Sequence, residues 1–420
     1  MARMRLRQPA FPIIIAFLLG LQLMEASRVW TILLVGFGGM FVTAYLWAWT
    51  LGRNFHLRRE NNLGWVQVGG QIEERFTLSN ASLVPAPWIR FIDQSTLPEF
   101  NASRLTGLGA EFFDQWNVSA TCKQRGLFYL GDAKIQTGDP FGIFDVTIHA
   151  PQRTSILVLP QVATLPELLI TPAGSFGDGR PRRNAPEQTI HASTVREFAY
   201  GDSTRLIHWP TTARTKKVFV RLLESAPEGN WWILLDLDKQ YMLGKDWDNI
   251  EEQSVALAAS LTDTGLQTRK SVGLISNGAK LTWLTPKKGE GQRWEVMQAL
   301  ALAKPSEFGL STVLERIKSS LGKHHSLIII TASTKLDWLQ TLLPLTRGGT
   351  RSVPTIILLD GSTFGIEGPA ENTAAALLQH NIACHVIPRG TIKPPKALPQ
   401  QRGNWKWRSL STGEIVLVQN

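Results

Sequence analysis

Only two cysteines occur in 420 residues, Cys122 and Cys384, far apart in the chain. That excludes a disulfide framework and a cysteine-built zinc site, and two lone thiols suit a reducing compartment. No phosphate-binding loop of the GxxxxGK[ST] type is present, and no nucleophile–histidine–acid triad can be read from the spacing. A broad basic face is missing too. The formal charge is +10, but residues 1–59 hold seven arginines against one glutamate, and residues 175–221 hold nine basic residues against four acidic ones. The remainder is close to neutral, which is not the profile of a nucleic-acid-binding protein. Asn80, Asn101 and Asn117 begin N-x-S sequences, which are irrelevant to a chain that faces the cytoplasm.

What the sequence does have is an apolar N-terminus. Residues 9–24 read PAFPIIIAFLLGLQLM, and residues 29–51 read VWTILLVGFGGMFVTAYLWAWTL. The second run carries no charge and is long enough to cross a hydrocarbon core of about 30 Å at about 1.5 Å per residue. The first is shorter and begins with prolines. No small-residue cleavage site follows it, so retention rather than signal-peptide removal is expected. Glu25–Arg28 leave room for a tight turn only, and Gly36, Gly38 and Gly39 offer a small-residue face for the first helix. Arg3, Arg5 and Arg7 precede the pair, and Arg53, Arg58 and Arg59 follow it. By the positive-inside rule both ends face the cytoplasm. The expectation is a two-helix transmembrane hairpin over 1–54, in the inner (cytoplasmic) membrane, multi-pass, with the soluble domains on the cytoplasmic side. Among fifteen tryptophans, Trp30, Trp47 and Trp49 fall near the expected interfaces.

From 55 to 150, short alternating runs such as EERFTLSN and APWIRFID are separated by glycine, proline and asparagine. That spacing predicts a β-sandwich domain. Within it, TGDPFGIF (137–144) reads as a tight turn with Phe141 and Phe144 turned into a core. Residues 151–229 form a basic linker with one dense segment, REFAYGDSTRLIHWPTTARTKKVFVRLLE (196–224). VREFAY predicts a strand, Asp202 a cap for a brief helix through RLIHW that Pro210 ends, and KVFVRLLE a second strand. A salt-bridged arginine cluster or an anionic-partner site both fit the charges here, and a hydrolase using Asp202, His208 and the hydroxyl of Thr211 or Thr212 is a further reading. From 230 to 390, β-branched runs alternate with amphipathic stretches, which predicts an α/β domain with a doubly wound parallel sheet. Its strand ends carry Asp236, Asp238, Ser276, Ser333 and Asp360, where ligands of such sheets bind. Residues 391–420 read as a C-terminal tail with a closing strand.

The order of these parts carries a resemblance. Two apolar helices precede RGLFYLGD…TGDPFGIF, then REF-x-x-GD-x-x-R-x-IHW-x-x-x-AR (Arg196, Glu197, Phe198, Gly201, Asp202, Arg205, Ile207, His208, Trp209, Ala213, Arg214), then a strand ending LLDLD. This resembles the bacterial "domain of unknown function 58" family. The resemblance implies a last domain like the von Willebrand factor A fold. It implies no enzyme activity, and a scaffold or adaptor role beside a MoxR-type AAA+ ATPase in assembling or maturing another complex. The implied partners are that ATPase, other von Willebrand factor A-like proteins and the lipid bilayer, with no nucleic acid. Arg196, Glu197, Gly201, Asp202, Arg205, His208, Trp209 and Arg214 become the signature and interaction residues. Metal-binding A domains carry D-x-S-x-S after the first strand. Here that element reads Asp236-Leu-Asp238-Lys-Gln240, with both serines replaced, and Thr331-Ala332-Ser333 lacks the acid expected after a later strand. Asp236, Asp238 and Thr312 remain weak candidates for Mg²⁺, so a divalent-metal-dependent binding module stands as an alternative to a cofactor-free one.

Overall fold

A computed structural model describes residues 2–60, 64–163, 165, 191–198, 207–215, 217–224, 230–245, 247–318, 325–346, 354–366, 368–394, 405–409 and 415–419. The chain divides into two compact units, residues 1–159 with 395–420, and residues 160–394. The first division falls at Leu159 rather than near 150 because one long strand continues to that point.

The first unit starts with β1 (Ala2–Leu6), followed by the apolar helices α1 (Ala10–Met24) and α2 (Arg28–Asn54). Ser27 caps α2, its hydroxyl accepting from Val29 N. Among the described residues only α2 is both long and apolar enough to cross a membrane, and α1 is shorter. The two helices touch near Phe11 and Phe37, whose ring centroids are 6.2 Å apart. The strands β2 (Phe55–Glu60), β3 (Trp65–Gln67), β4 (Gln71–Asn80), β5 (Ala86–Asp93), β6 (Arg104–Leu108), β7 (Phe112–Thr121), β8 (Gly126–Gly138) and β9 (Phe144–Leu159) follow. They form one sheet in the order β1-β9-β8-β5-β6, with β3 also on β9, and a second in the order β2-β4-β7. β4 shows why: QIEERFTLSN alternates exposed and buried positions from its first residue, so one face is apolar. The sheets meet where Phe76 of β4 stacks on Trp116 of β7 and both contact Phe91 of β5.

A buried ion cluster crosses this interface. Arg59 of β2 forks onto Glu74 of β4 (2.9 and 2.8 Å) and reaches Asp93 of β5 at 3.2 Å, and all three side chains are nearly inaccessible. Its guanidinium also lies over the Phe76 ring at 4.8 Å. Burial opposes the charge on Arg59, but Glu74 and Asp93 outweigh it and hold its pKa above the usual arginine value. Arg59 is thus a core residue, not a membrane-flanking charge, and it drops out of the positive-inside argument.

The turn at 139–144 forms as expected. Asp139 accepts from Phe141 N (2.8 Å) and Phe144 N (2.6 Å). Phe144 is buried against Phe41 and Tyr45 of α2, whereas Phe141 is 46% exposed instead of entering the core. Cys122 is fully buried, which pushes its thiol up to about 12.

The second unit opens with β10 (His191–Glu197), α3 (Trp209–Thr215) and β11 (Phe219–Glu224). The α/β part comprises β12 (Asn230–Asp236), the short pair β13 (Gly244–Lys245) and β14 (Asp248–Asn249), α4 (Ile250–Gln267), β15 (Val272–Asn277) and β16 (Leu281–Lys287). It continues through α5 (Glu290–Leu302), α6 (Leu310–Ile317), β17 (His325–Thr331), α7 (Asp337–Thr346), β18 (Thr355–Leu359), α8 (Ala370–Gln379) and β19 (Ala383–Ile387). The sheet order is β16-β15-β12-β17-β18-β19. All neighbours are parallel except β16, an antiparallel edge strand that follows β15 by a short turn. Apart from that edge, the order is that of doubly wound sheets, with the topological switch at β12. β12 is buried from Trp232 to Asp236, as a strand covered on both faces must be. In α6, Leu310, Val313, Leu314 and Ile317 repeat at helical spacing and join Trp232, Leu234, Ile329 and Trp338 in one core. α4 and α5 cover the other face. The last strands, β20 (Trp405–Ser409) and β21 (Ile415–Gln419), pair antiparallel in a sheet of their own.

Replacing Arg59 with alanine leaves Glu74 and Asp93 buried without their cation. The unfolding free energy of the first unit should fall by about 3–5 kcal/mol, read from urea titrations followed by tryptophan fluorescence. A loss under about 1 kcal/mol, the range of exposed pairs, would reject the buried cluster.

Candidate functional site

The parallel register brings three distant positions side by side at the carboxyl ends of the central strands. Asp236 of β12 pairs with Asn277 of β15, and Leu235 pairs with Ile330, the residue before Thr331 of β17. Asp236 is 1% exposed. Its Oδ2 accepts from the Thr331 hydroxyl at 2.7 Å, and its Oδ1 accepts from Asn277 Nδ2 at 3.0 Å and from Asp238 N at 3.3 Å. The second tier is also bonded. Asn277 Nδ2 donates to Phe308 O (2.7 Å), the Ser306 hydroxyl donates to Asn277 Oδ1 (2.7 Å), and Thr331 Oγ1 accepts from Ser333 N (3.0 Å). The backbone closes the same patch, with Ser306 N donating to Leu237 O and Lys239 N to Ser306 O.

Burial pushes the Asp236 carboxyl up to about 7 against the pull of Thr331, while the nearby Asp238 adds to the rise. Asp238 itself is only half-buried and caps a single 3₁₀ turn, its Oδ1 accepting from Gln240 N at 3.1 Å. Its other oxygen lies beside Gly309, where an added Cβ would stand 3.5 Å away. Thr312 is on α6, half-buried. Asp360 caps the turn after β18, accepting from Ser362 N (3.1 Å) and the Ser362 hydroxyl (2.6 Å). Among the described residues no three His, Cys, Asp or Glu side chains cluster as a metal set. The Asp236 carboxyl, with both oxygens bonded to protein donors and its charged form disfavoured, does not fit a divalent-metal ligand.

The signature segment lies at β10, α3 and β11. β10 and β11 pair antiparallel, with Arg196 opposite Val220 and Glu197 opposite Phe219. Gly201, Asp202 and Arg205 lie outside the described residues, as does the side chain of Arg196. His208 donates its backbone N–H to Phe219 O at 2.8 Å. Its Nδ1 accepts from Thr211 N at 3.3 Å and lies 2.8 Å from the Thr211 hydroxyl. This is the position and geometry of an N-cap, and an accepting Nδ1 leaves the ring proton on Nε2. Thr212 Oγ1 accepts from Phe219 N at 3.0 Å, tying α3 to β11. The helix therefore begins at Trp209, and Pro210 opens it rather than ending it. Proline suits a first turn because its missing N–H has no partner to lose there. Trp209 is 68% exposed, and Arg214 is exposed in the last turn. Glu197 pairs with Lys217, a residue the sequence reading did not single out. Asn277 and Thr331 were not expected as partners of Asp236 either, nor Ser306 as a partner of Asn277. Asn277 and Thr331 reach Asp236 only through strand pairing.

A doubly wound sheet with a hydrogen-bonded acid at its switch point, preceded by a strand–helix–strand signature, defines the class. The family model "Protein of unknown function DUF58" matches residues 194–360, which include Asp236 and most of the signature and the sheet, and supports that family for this stretch. No curated protein matches the chain. Solved structures align weakly. The CARDB domain of a Pyrococcus furiosus protein, in complex with di-metal ions, is 10% identical over 25% of this chain and 88% of that domain, with a TM-score of 0.19. A β-glucosidase from Listeria innocua is 13% identical over 25% of this chain and 16% of its own, with a TM-score of 0.18. The alkylpurine DNA glycosylase AlkC of Pseudomonas fluorescens is 10% identical over 35% of this chain and 42% of its own, with a TM-score of 0.18. Likenesses this slight carry no argument about fold or activity.

Two predictions follow from the geometry. An acid whose folded pKa exceeds its unfolded one stabilises the fold at low pH. That contribution is complete below about pH 4 and is lost as pH rises through about 7. The protonated Asp236 carboxyl should therefore give an infrared band that fades as pH rises through about 7, above the range where ordinary carboxyls titrate, and that is missing there in Asp236→Asn. Thr331→Val should move the fading to higher pH. A band that behaves identically in Asp236→Asn would refute the assignment. For His208, alanine should remove about 1 kcal/mol of hydrogen-exchange protection from the α3 amides, while His208→Asn, itself a good cap, should restore most of it. Equal loss in both variants would discard the capping role.

Proposed function

We propose that this protein is a membrane-tethered, non-enzymatic scaffold of the DUF58 family, whose α/β domain is a von Willebrand factor A-like interaction platform. We assign it to work with a MoxR-type AAA+ ATPase in assembling or maturing another complex. The observation that carries the reading is the state of Asp236. At the switch point, where doubly wound proteins usually present a ligand group, the one fully buried acid is taken up by Thr331, Asn277 and Asp238 N. The end of β12 is closed into structure, which favours recognition by surface over chemistry or metal binding. The sheet order with an antiparallel third strand supports the A-like reading, and the match to 194–360 supports the family.

The anchor reading rests on the uncharged run in α2 and the apolar α1 before it. Both ends of the pair are assigned to the cytoplasmic side of the inner membrane by Arg3, Arg5, Arg53 and Arg58, without Arg59. The exposed Trp209 and Arg214, residue types over-represented at binding hot spots, make the α3 surface the first candidate for partner contact.

Purification of the tagged full chain from native membranes, with and without ATP, should bring down an AAA+ ATPase, and Trp209→Ala with Arg214→Ala should reduce its recovery several-fold. Recovery of no ATPase in either nucleotide state would sink the adaptor role.

A further inference from the structure

The apolar helices are not a free tether. β1 is zipped onto β9 from Ala2↔Ile148 to Leu6↔Phe144, and Arg7 N donates to Ile143 O at 2.8 Å. The lower half of α2 is clamped to the same domain, with Phe41 and Tyr45 against Phe144 (5.3 and 5.9 Å) and Ala44, Ala48 and Leu51 buried. The legs that project beyond the domain are α1, 15 residues long, and α2 from Arg28 to Phe41. At about 1.5 Å per residue these reach about 22 Å and about 20 Å. A hydrocarbon core is about 30 Å thick. For the charged turn at Glu25–Arg28 to reach the far interface, the near end of the domain must sink by roughly 8–10 Å.

Farther along α2, beside Trp47 to Phe55, the rim of the domain carries exposed apolar side chains. β2 starts at Phe55, directly after α2, and the register runs from Phe55 to Asn80 and from Asn80 to Phe112. Ala81 N donates to Asn54 O, and Trp47 Nε1 donates to Pro85 O at 2.9 Å. The loop through 81–85 therefore runs back along α2 by about 10 Å, beside its uncharged run. Leu83 in this loop is 80% exposed, and Phe112 and Phe113 are 63% and 57% exposed with their rings stacked at 6.0 Å. Arg53 lies over the Trp49 ring at 4.2 Å, a pairing that suits headgroup level. Glu111, exposed in the turn before Phe112, limits the depth to the interfacial layer.

We propose that Leu83, Phe112 and Phe113 form a second membrane contact, entering the interfacial layer of the same bilayer that takes α1 and α2. The contact rests on the membrane-anchor reading and adds to it. Sinking by roughly 8–10 Å brings the Trp47 level of α2, and Leu83 beside it, to the membrane interface, where apolar side chains on the rim favour that depth. The first unit then rides at a fixed height on the membrane.

The test uses the full chain in vesicles of phosphatidylcholine and phosphatidylglycerol, with Cys122 and Cys384 replaced by alanine. An NBD fluorophore is placed at Leu83→Cys, at Phe113→Cys or at Lys123→Cys. Lys123 is exposed and follows the opposite end of β7, so it is the dry control. Blue-shifted emission at 83 and 113, quenched several-fold more strongly by shallow bromolipids than at 123, is the expected result. Quenching no greater than at 123, in protein that still pellets with vesicles after an alkaline carbonate wash, leaves the anchor standing and overturns the second contact. A blue shift without bromolipid quenching also overturns it, since the rim is then covered by protein. A chain that washes off the vesicles overturns the anchor and the contact together.

Discussion

A carboxyl group removed from water must be either protonated or surrounded by donors, and the α/β domain is arranged around one such group. Asp236 ends the central strand, and its two oxygens hold the ends of both neighbours through Asn277 and Thr331. The same contacts fix where the following loops run, because Ser306 and Phe308 are bonded to Asn277 in turn. Each partner is a neutral donor, so the network tolerates Asp236 with or without its proton, but burial favours the proton. A metal ion would need the opposite: a carboxylate kept ionised and turned toward an open cavity. Here Thr331 gives Asp236 a hydroxyl donor at 2.7 Å, which holds the carboxyl inside the sheet rather than turning it outward.

The first unit meets the same constraint with opposite chemistry. Glu74 and Asp93 are nearly inaccessible, and there the compensation is a full cation, Arg59, with a bidentate fork onto Glu74. Such a cluster adds less net stability than its Coulomb energy suggests. Its geometry nonetheless sets which residues of β2, β4 and β5 face each other across two sheets, and so fixes the position of Phe55 at the mouth of α2.

How far the sequence could be read depended on whether the determining contacts were local. The alternation in QIEERFTLSN and the helical spacing of Leu310, Val313, Leu314 and Ile317 are visible in the chain itself, and the elements appear where those patterns lie. Asp236 was legible as a strand-end acid. Its partners were not, because 236, 277 and 331 become neighbours only when the strand order is known. Arg59 looked like a membrane-flanking charge because sequence proximity to α2 says nothing about Glu74 or Asp93. Pro210 was read as a stop because proline breaks helices in their interior, and only the His208 cap shows that the helix starts there. β16 escaped notice since LTWLTPK carries a proline and is half exposed, yet an antiparallel edge is the place in a sheet where both are tolerated.

The clamping of α2 changes what an N-terminal anchor can do. A helix joined to its domain by a flexible linker transmits neither height nor orientation. Here the chain enters the domain as β1, leaves it as α1, and returns along Phe41, Ala44, Ala48 and Leu51 into β2 without a linker residue, since Phe55 directly follows Asn54. α2 and the two sheets are thus one mechanical body, and under the proposed anchoring the mismatch between leg length and bilayer thickness is met by the domain or by the lipid. Thinning the bilayer costs a fraction of a kcal/mol per ångström, whereas burying Leu83, Phe112 and Phe113 is itself favourable by about 25 cal/mol per Å² of apolar surface. Under the proposed contact the rim is the cheaper route, and the rigid joint at Asn54–Phe55 is what makes that route available.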